Sequence, residues 1–192
     1  MLIVSRESGL VCGIDEAGRG PLAGPVCAAA VILPEHFFDA ELNDSKKLSE
    51  KKRERLYDTI THSALSWSVA FANVEEIERL NILQATFLAM NRAYAGLTIP
   101  AEKALVDGNQ NPGLPVPTDC IVGGDGKYDC IAAASVLAKV SRDRLMCELS
   151  KKYPQYGFET HKGYGTKLHR EAIVRCGPCE IHRLSFLTKI LK

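Results

Sequence analysis

Three short apolar runs in this chain each end on acid: residues 10–14 run into Asp15 and Glu16, residues 104–106 into Asp107, and residues 120–122, after two glycines, into Asp125. Runs of this length, bounded by turn residues, read as buried strands. In open α/β sheets the strand ends are where ligand sites gather. The pattern therefore restricts the chain to folds in which a sheet brings acids together at its ends.

The remaining periodicities fill in such a sheet. Residues 26–33 form a second apolar run that stops at Pro34, and Leu65, Trp67, Val69 and Phe71 alternate with Ser66, Ser68 and Ala70, the period of a strand with unlike faces. Ser49 is placed to cap a helix whose inner face carries Leu56 and Ile60. A longer helix is expected from about Val74, with Ile77, Leu80, Leu83, Phe87 and Leu88 on one stripe and Gly96 as its stop. Another spans residues 128–153 and opens with Ala132, Ala133 and Ala134, small enough to lie close on a sheet; Pro154 ends it. Strands first, then strands alternating with helices, give an α/β class with a mixed sheet. With 192 residues and 46% hydrophobic composition, one compact domain over 1–192 is expected, with residues 154–192 as a basic helical extension.

Carboxylates on neighbouring strand ends repel one another and lose hydration, so a cluster of them calls for cations. Hard divalent ions that take oxygen ligands, Mg²⁺ or Mn²⁺, suit it, and the absence of His or Cys beside these acids argues against zinc. Two such ions roughly 4 Å apart activate a water and stabilise the leaving oxygen of a phosphodiester. There is a geometric objection: successive strand residues face opposite ways, so Asp15 and Glu16 share a site only if strand pairing breaks there or one of them uses its backbone carbonyl. Asp107-Gly108 and Asp125-Gly126 also have an ordinary reading as turns.

Residues 15–24, DEAGRGPLAG, closely resemble the opening motif of the bacterial ribonuclease HII family. In order along the chain, LNDSKKLSEKKR from Leu42, LNILQATFLAM from Leu80, VDGN from Val106, GD at Gly124-Asp125, IAAASVLAKVSRD from Ile131 and YPQYGFETHKGYGT from Tyr153 are similar to further motifs of that family. The resemblance implies a ribonuclease H-like fold, a five-stranded mixed sheet flanked by helices with a C-terminal helical extension. It implies Asp15, Glu16, Asp107 and Asp125 as catalytic metal ligands. It also implies endonucleolytic cleavage on the 5′ side of ribonucleotides in RNA–DNA hybrids and ribonucleotide-containing duplex DNA, leaving 3′-hydroxyl and 5′-phosphate ends. Gly18, Arg19, Gly20 and Tyr164 are implied readers of the 2′-hydroxyl, the group that separates RNA from DNA at one nucleotide. Lys46, Lys47, Ser135, Lys139, His161 and Lys162 are candidate phosphate contacts, and Arg142 and Asp143, adjacent in a helix, are candidates for structural pairs instead.

The net charge of +1 conceals a basic tail, since residues 151–192 hold nine Lys or Arg against three acids, along with His161, His169 and His182. Such a run reads either as a solvated face or as a surface for a polyanion. Seven scattered cysteines suggest a reducing compartment. The four apolar residues before Arg6 are too few for a signal peptide, and the longest apolar stretch, 22–34, is too short to cross a bilayer, so a soluble, cytoplasmic, monomeric protein is expected. Cys176-Gly177-Pro178-Cys179 spells a thioredoxin-like redox motif, but it follows a helical stretch and no strand succeeds it; Gly177 reads better as a helix stop. Zinc held by Cys176, Cys179 and His182 would need a fourth ligand. Ser185-Phe186-Leu187 is a candidate docking segment for a replication clamp. The competing classes are thus a thiol–disulfide enzyme, a non-catalytic nucleic-acid module and, on the same carboxylate fold, a resolvase or transposase.

Overall fold

The computed structural model describes residues 2–4, 9–188, 190 and 191. Met1 and Arg6 of the N-terminal segment, and Lys189 and Lys192 of the basic tail, lie outside the described residues. Five strands, β1 (Val11–Ala17), β2 (Val26–Ile32), β3 (Ser66–Ala72), β4 (Lys103–Asp107) and β5 (Thr118–Ile121), form one sheet in the order β3-β2-β1-β4-β5. The β1–β2 and β2–β3 pairs are antiparallel, and β1–β4 and β4–β5 are parallel, so the sheet is mixed as expected. The helices are α1 (Glu50–Ser63), α2 (Val74–Leu80), α3 (Ile82–Ala95), α4 (Asp129–Lys152), α5 (Phe158–His161) and α6 (Lys167–Cys176).

β2, with sequence VCAAAVI, is buried along its whole length because helices cover both faces of the sheet. Cys27, Ala29 and Val31 pack with α1 and α4; Val26, Ala28, Ala30 and Ile32 pack with α2 and α3. Small residues set the close spacing: a Cβ at Gly13 would fall 2.1 Å from the carbonyl carbon of Cys130, so α4 rests directly on the backbone of β1. A third cluster, with Ala23, Met146, Phe158, Ile173 and Leu187, fastens the loop after β1 to the far end of α4 and to α6.

Three expectations need correction. β1 does not stop before the acids: Asp15 and Glu16 lie inside it. The expected helix from Val74 is two helices, because Asn81 takes a left-handed φ of 69° and its side chain accepts from the N–H groups of Leu83 and Gln84, starting α3 afresh. β5 ends at Ile121, leaving Val122 exposed beyond it. The apolar side of β3 is only half covered, with Trp67 at the surface and Ser66 buried instead, where its hydroxyl accepts from the Thr98 N–H. Among the described residues, no helix is long and apolar enough to cross a membrane.

Candidate active site

The parallel pairing of β1 with β4 ends at Ile14 opposite Val106, while antiparallel pairing with β2 continues to Ala17 opposite Cys27. Strand pairing therefore breaks at the acids on one flank only. By register Asp15 sits across from Ala29 on the α4 side and Glu16 across from Ala28 on the other, yet both carboxyls are pushed up by the charge of Asp107. The edge freed beside β4 lets the longer Glu16 side chain share the field of Asp107.

Burial is the first cause holding Asp15 well above the ordinary carboxylate range, followed by the charges of Glu16 and Asp107; hydrogen bonds from the Glu16 N–H, at 2.7 Å, and from Ser135 pull the other way. Burial also raises Glu16, against Arg19, whose Nη1 lies 3.5 Å from Oε1. Asp107 closes β4, and its Oδ1 accepts from the Gly124 N–H at 2.7 Å, which fixes the 3₁₀ turn 124–126 that carries Asp125. Asp125 is raised by burial, then by Asp107 and Asp44, opposed by Lys46, whose Nζ stands 3.5 Å from Oδ2. Lys46 holds its proton more tightly than usual: its own partial burial opposes this, but Asp125, Asp15, Asp44 and Asp107 together outweigh it. One cation thus faces the acids from the short turn 45–47. That turn is anchored by a 2.7 Å contact between the hydroxyls of Ser45 and Ser135.

Residues 18–20 and Tyr164 also come together. A Cβ at Gly20 would lie 3.9 Å from Tyr164 Cε1, and the Tyr164 ring is exposed, with Lys139 Nζ at 5.9 Å and the Arg142 guanidinium at 6.0 Å from its centroid. Gly18 has a φ of 95°, and a Cβ there would strike Arg142 Nε at 2.0 Å, so only glycine fits. Arg142 is buried and donates to the carbonyls of Pro25, Lys162 and Ala23 at 3.0–3.1 Å. Arg183, also buried, donates to Gly24, Arg19 and Gly18 at 2.9, 2.8 and 2.6 Å. Arg142 and Asp143 both have structural partners, Arg142 the carbonyls of Pro25, Lys162 and Ala23 and Asp143 the Lys139 ammonium at 2.8 Å. Arg183, read as part of a basic surface, is an internal clamp, and burial pushes its guanidinium down to about 9. The sequence carried no local sign of this role.

The candidate phosphate contacts divide. Lys46 and Lys47 are both exposed; Lys46 stands beside Asp125, whereas Lys47 lies 3.9 Å from Asp44. Lys139 faces Tyr164 but is paired with Asp143, and Lys162 Nζ donates to the Glu159 carbonyl. Ser135 and His161 are buried, with the Ser135 hydroxyl against that of Ser45 and His161 held by the Tyr156 carbonyl and the Gly163 N–H. Lys151 and Lys152 of the tail pair with Glu148 and Glu180.

Among the described residues no three His, Cys, Asp or Glu side chains form a ready-made metal cage. This weighs heavily against the zinc reading, which needs a closed tetrahedral set; Cys176 is exposed and Cys179 Sγ is engaged by His182 Nδ1 at 3.1 Å. It weighs little against Mg²⁺ or Mn²⁺, because Mg²⁺ keeps several waters and takes one or two carboxylates plus substrate phosphate oxygens. Four carboxylates, three of them held above their ordinary range by one another and by burial, suit a cation that would relieve the repulsion. Gly177, with a φ of 74°, ends α6 as expected, and no strand follows to build a thioredoxin-like setting among the described residues. The expected docking segment is not free: Leu187 is fully buried, Phe186 packs on the α3 side and lies under Arg183, and Ser185 bonds Glu78.

The family model described as Ribonuclease HII matches residues 12–189. The ribonuclease HII of Dechloromonas aromatica is 60% identical over 178 residues, covering 93% of this chain and 91% of that protein. Among solved structures, ribonuclease H2 of Pyrococcus horikoshii superposes with a TM-score of 0.78 at 28% identity, covering 94% of this chain and 96% of that one. The Archaeoglobus fulgidus ribonuclease HII, solved in complex with PCNA, has a TM-score of 0.70 at 26% identity, over 91% of this chain and 94% of that one. The sheet order, the cluster of acids on β1, β4 and the turn after β5, and a match along nearly the whole sequence agree: the chain belongs to the ribonuclease HII family, metal-dependent endonucleases of the ribonuclease H class.

Proposed function

We propose that this chain hydrolyses the phosphodiester on the 5′ side of ribonucleotides, both in RNA–DNA hybrids and where single ribonucleotides are embedded in duplex DNA, leaving 3′-hydroxyl and 5′-phosphate ends. Its place is then ribonucleotide removal in DNA replication and repair. The observation that carries the reading is the neighbourhood of two devices: acids inside β1 where its pairing with β4 stops, at the close of β4 and on the turn after β5, and a glycine-lined turn beside an exposed tyrosine.

Asp15, Glu16, Asp107 and Asp125 would hold two divalent ions, Mg²⁺ or Mn²⁺, which when bound supply a nucleophilic water and stabilise the leaving oxygen. The protein's own part is placement. Ser135 orients Asp15 from α4, and Asp107 fixes the turn bearing Asp125. Lys46 counters the acids and would meet substrate phosphate, with Lys47, Lys139 and Lys162 as further phosphate contacts. The backbone of Gly18, Arg19 and Gly20 approaches the sugar closely, and Tyr164 packs against it; discrimination rests on the 2′-hydroxyl. Ser135 and His161 position other residues and leave phosphate alone.

We place the enzyme in the cytoplasm as a single-domain monomer, in keeping with its seven free cysteines. A replication clamp is a proposed partner on the precedent of the Archaeoglobus fulgidus protein. The test is cleavage of a duplex carrying one ribonucleotide, against an all-DNA control, with Mg²⁺ or Mn²⁺ and with chelator. Cutting only the first, only with metal, and on the 5′ side supports the proposal; cutting of the all-DNA duplex, or metal-free cutting, overturns it.

A further inference from the structure

Inside the third core cluster three buried histidines, His161, His169 and His182, form a group that the cleavage chemistry does not use. Their hydrogen bonds fix each tautomer. The Cys179 N–H donates to His182 Nδ1 at 2.9 Å, so that nitrogen is an acceptor and neutral His182 carries its proton on Nε2. That Nε2 lies 3.1 Å from His169 Nε2, which must accept, leaving the His169 proton on Nδ1. His169 Nδ1 in turn is 2.9 Å from the carbonyl oxygen of Tyr164 and donates to it. By the same logic His161 accepts from the Gly163 N–H at Nδ1 and donates from Nε2 to the Tyr156 carbonyl at 2.8 Å, with its ring stacked on His169 at 4.4 Å.

The segment they grip is strained. Lys162 has a left-handed φ of 51° and Gly163 one of 85°, immediately before Tyr164. A non-glycine residue in that region costs on the order of 1–2 kcal/mol and persists only where surrounding contacts over-determine it. Here they do: Arg142 holds the Lys162 carbonyl, His161 the Gly163 N–H, the Leu22 N–H the Gly163 carbonyl and His169 the Tyr164 carbonyl.

We infer that His169, locked in one tautomer by His182, is a positioning residue for Tyr164, holding the ring at the angle and height from which it meets the sugar. The inference rests on the proposed reading of Tyr164. Its chemistry makes a sharp distinction between two substitutions. Asparagine places its amide nitrogen where Nδ1 stands and keeps the donor to the carbonyl; glutamine places it near Nε2 and loses that donor.

The experiment measures kcat and KM on a duplex with one ribonucleotide for wild type, His169→Asn, His169→Gln, Tyr164→Ala and the double variant Tyr164→Ala/His169→Gln, at a temperature where circular dichroism shows every variant folded. His169→Gln is expected to lower kcat/KM by about 10-fold or more, as small misplacements near a reacting centre do, with His169→Asn retaining most of the activity. In the Tyr164→Ala background, His169→Gln should cost almost nothing further, since no ring remains to be positioned. A loss from Tyr164→Ala with full additivity in the double variant, or equal losses for Asn and Gln, overturns the inference alone. No loss from Tyr164→Ala overturns the reading of Tyr164, and the inference with it.

Discussion

Asp107 Oδ1 accepts the Gly124 N–H at 2.7 Å, so the acid closing β4 also fixes the turn that carries the next acid, Asp125. Charge and architecture meet in one side chain, and substitution separates them. Asp107→Asn keeps an acceptor at Oδ1 and removes the charge, so cleavage should fall by more than about 100-fold, beyond what losing a metal's outer partner costs, with little change in Tm. Asp107→Ala also strands the Gly124 N–H and should cost about 1–3 kcal/mol in denaturant unfolding. Equal stability of the two variants would detach Asp107 from the turn.

Asp15 is expected to behave differently in metal-free buffer. It is buried and opposed by Glu16 and Asp107, so Asp15→Asn relieves repulsion while keeping an acceptor for the Glu16 N–H. Thermal unfolding in chelator should show Tm unchanged or higher, together with loss of cleavage when Mg²⁺ is restored. A clear fall in Tm would mean that the carboxylate stabilises the fold.

Arg183→Met removes a buried guanidinium but leaves the carbonyls of Gly18, Arg19 and Gly24 without their donor. The desolvated charge is relieved and three acceptors are stranded, so the net loss should be about 2–4 kcal/mol. The residual folded enzyme should show a raised KM, because the turn at 18–20 is no longer held. Urea titration and steady-state kinetics check both.

Burial pushes His169 and His182 each down to about 4. Both stay neutral in the fold while the unfolded chain takes up protons below about pH 6.5. Their contribution to stability is therefore complete above pH 6.5 and lost as pH falls toward 4. Tm measured between pH 7 and pH 4 should drop across that window, and His169→Asn should make the slope shallower. A flat profile would show that these rings are not held neutral.

Cys176→Ser with Cys179→Ser should leave cleavage within about 2-fold of wild type under oxidising and reducing conditions alike, because serine keeps a donor toward His182 and Cys176 is exposed. A large change on oxidation of the wild type alone would bring the thiol pair into the function.

What could be read from the sequence was whatever depends on neighbours along the chain. Asp107 at the close of β4, the alanine run that seats α4 and Gly177 as a helix stop all follow from local pattern. The break at Asn81 was missed because the apolar stripe continues through it and only its φ reveals the turn. The buried arginines were out of reach for a different reason. Their partners are backbone carbonyls 117–165 residues away for the contacts from Pro25 and Gly18, and carbonyls carry no sequence signature. The inner partners of Ser135 and His161 are out of reach in the same way, since they lie across the fold or on backbone carbonyls.

Arg183 has a consequence in time. The carbonyls it secures are made early, at Gly18 and Arg19, while their donor is added 165 and 164 residues later. All four strand-end acids precede residue 126. During vectorial synthesis the segments that carry the four acids therefore emerge well before the turn at 18–20 can be locked, and that turn is set only once the chain has reached Arg183.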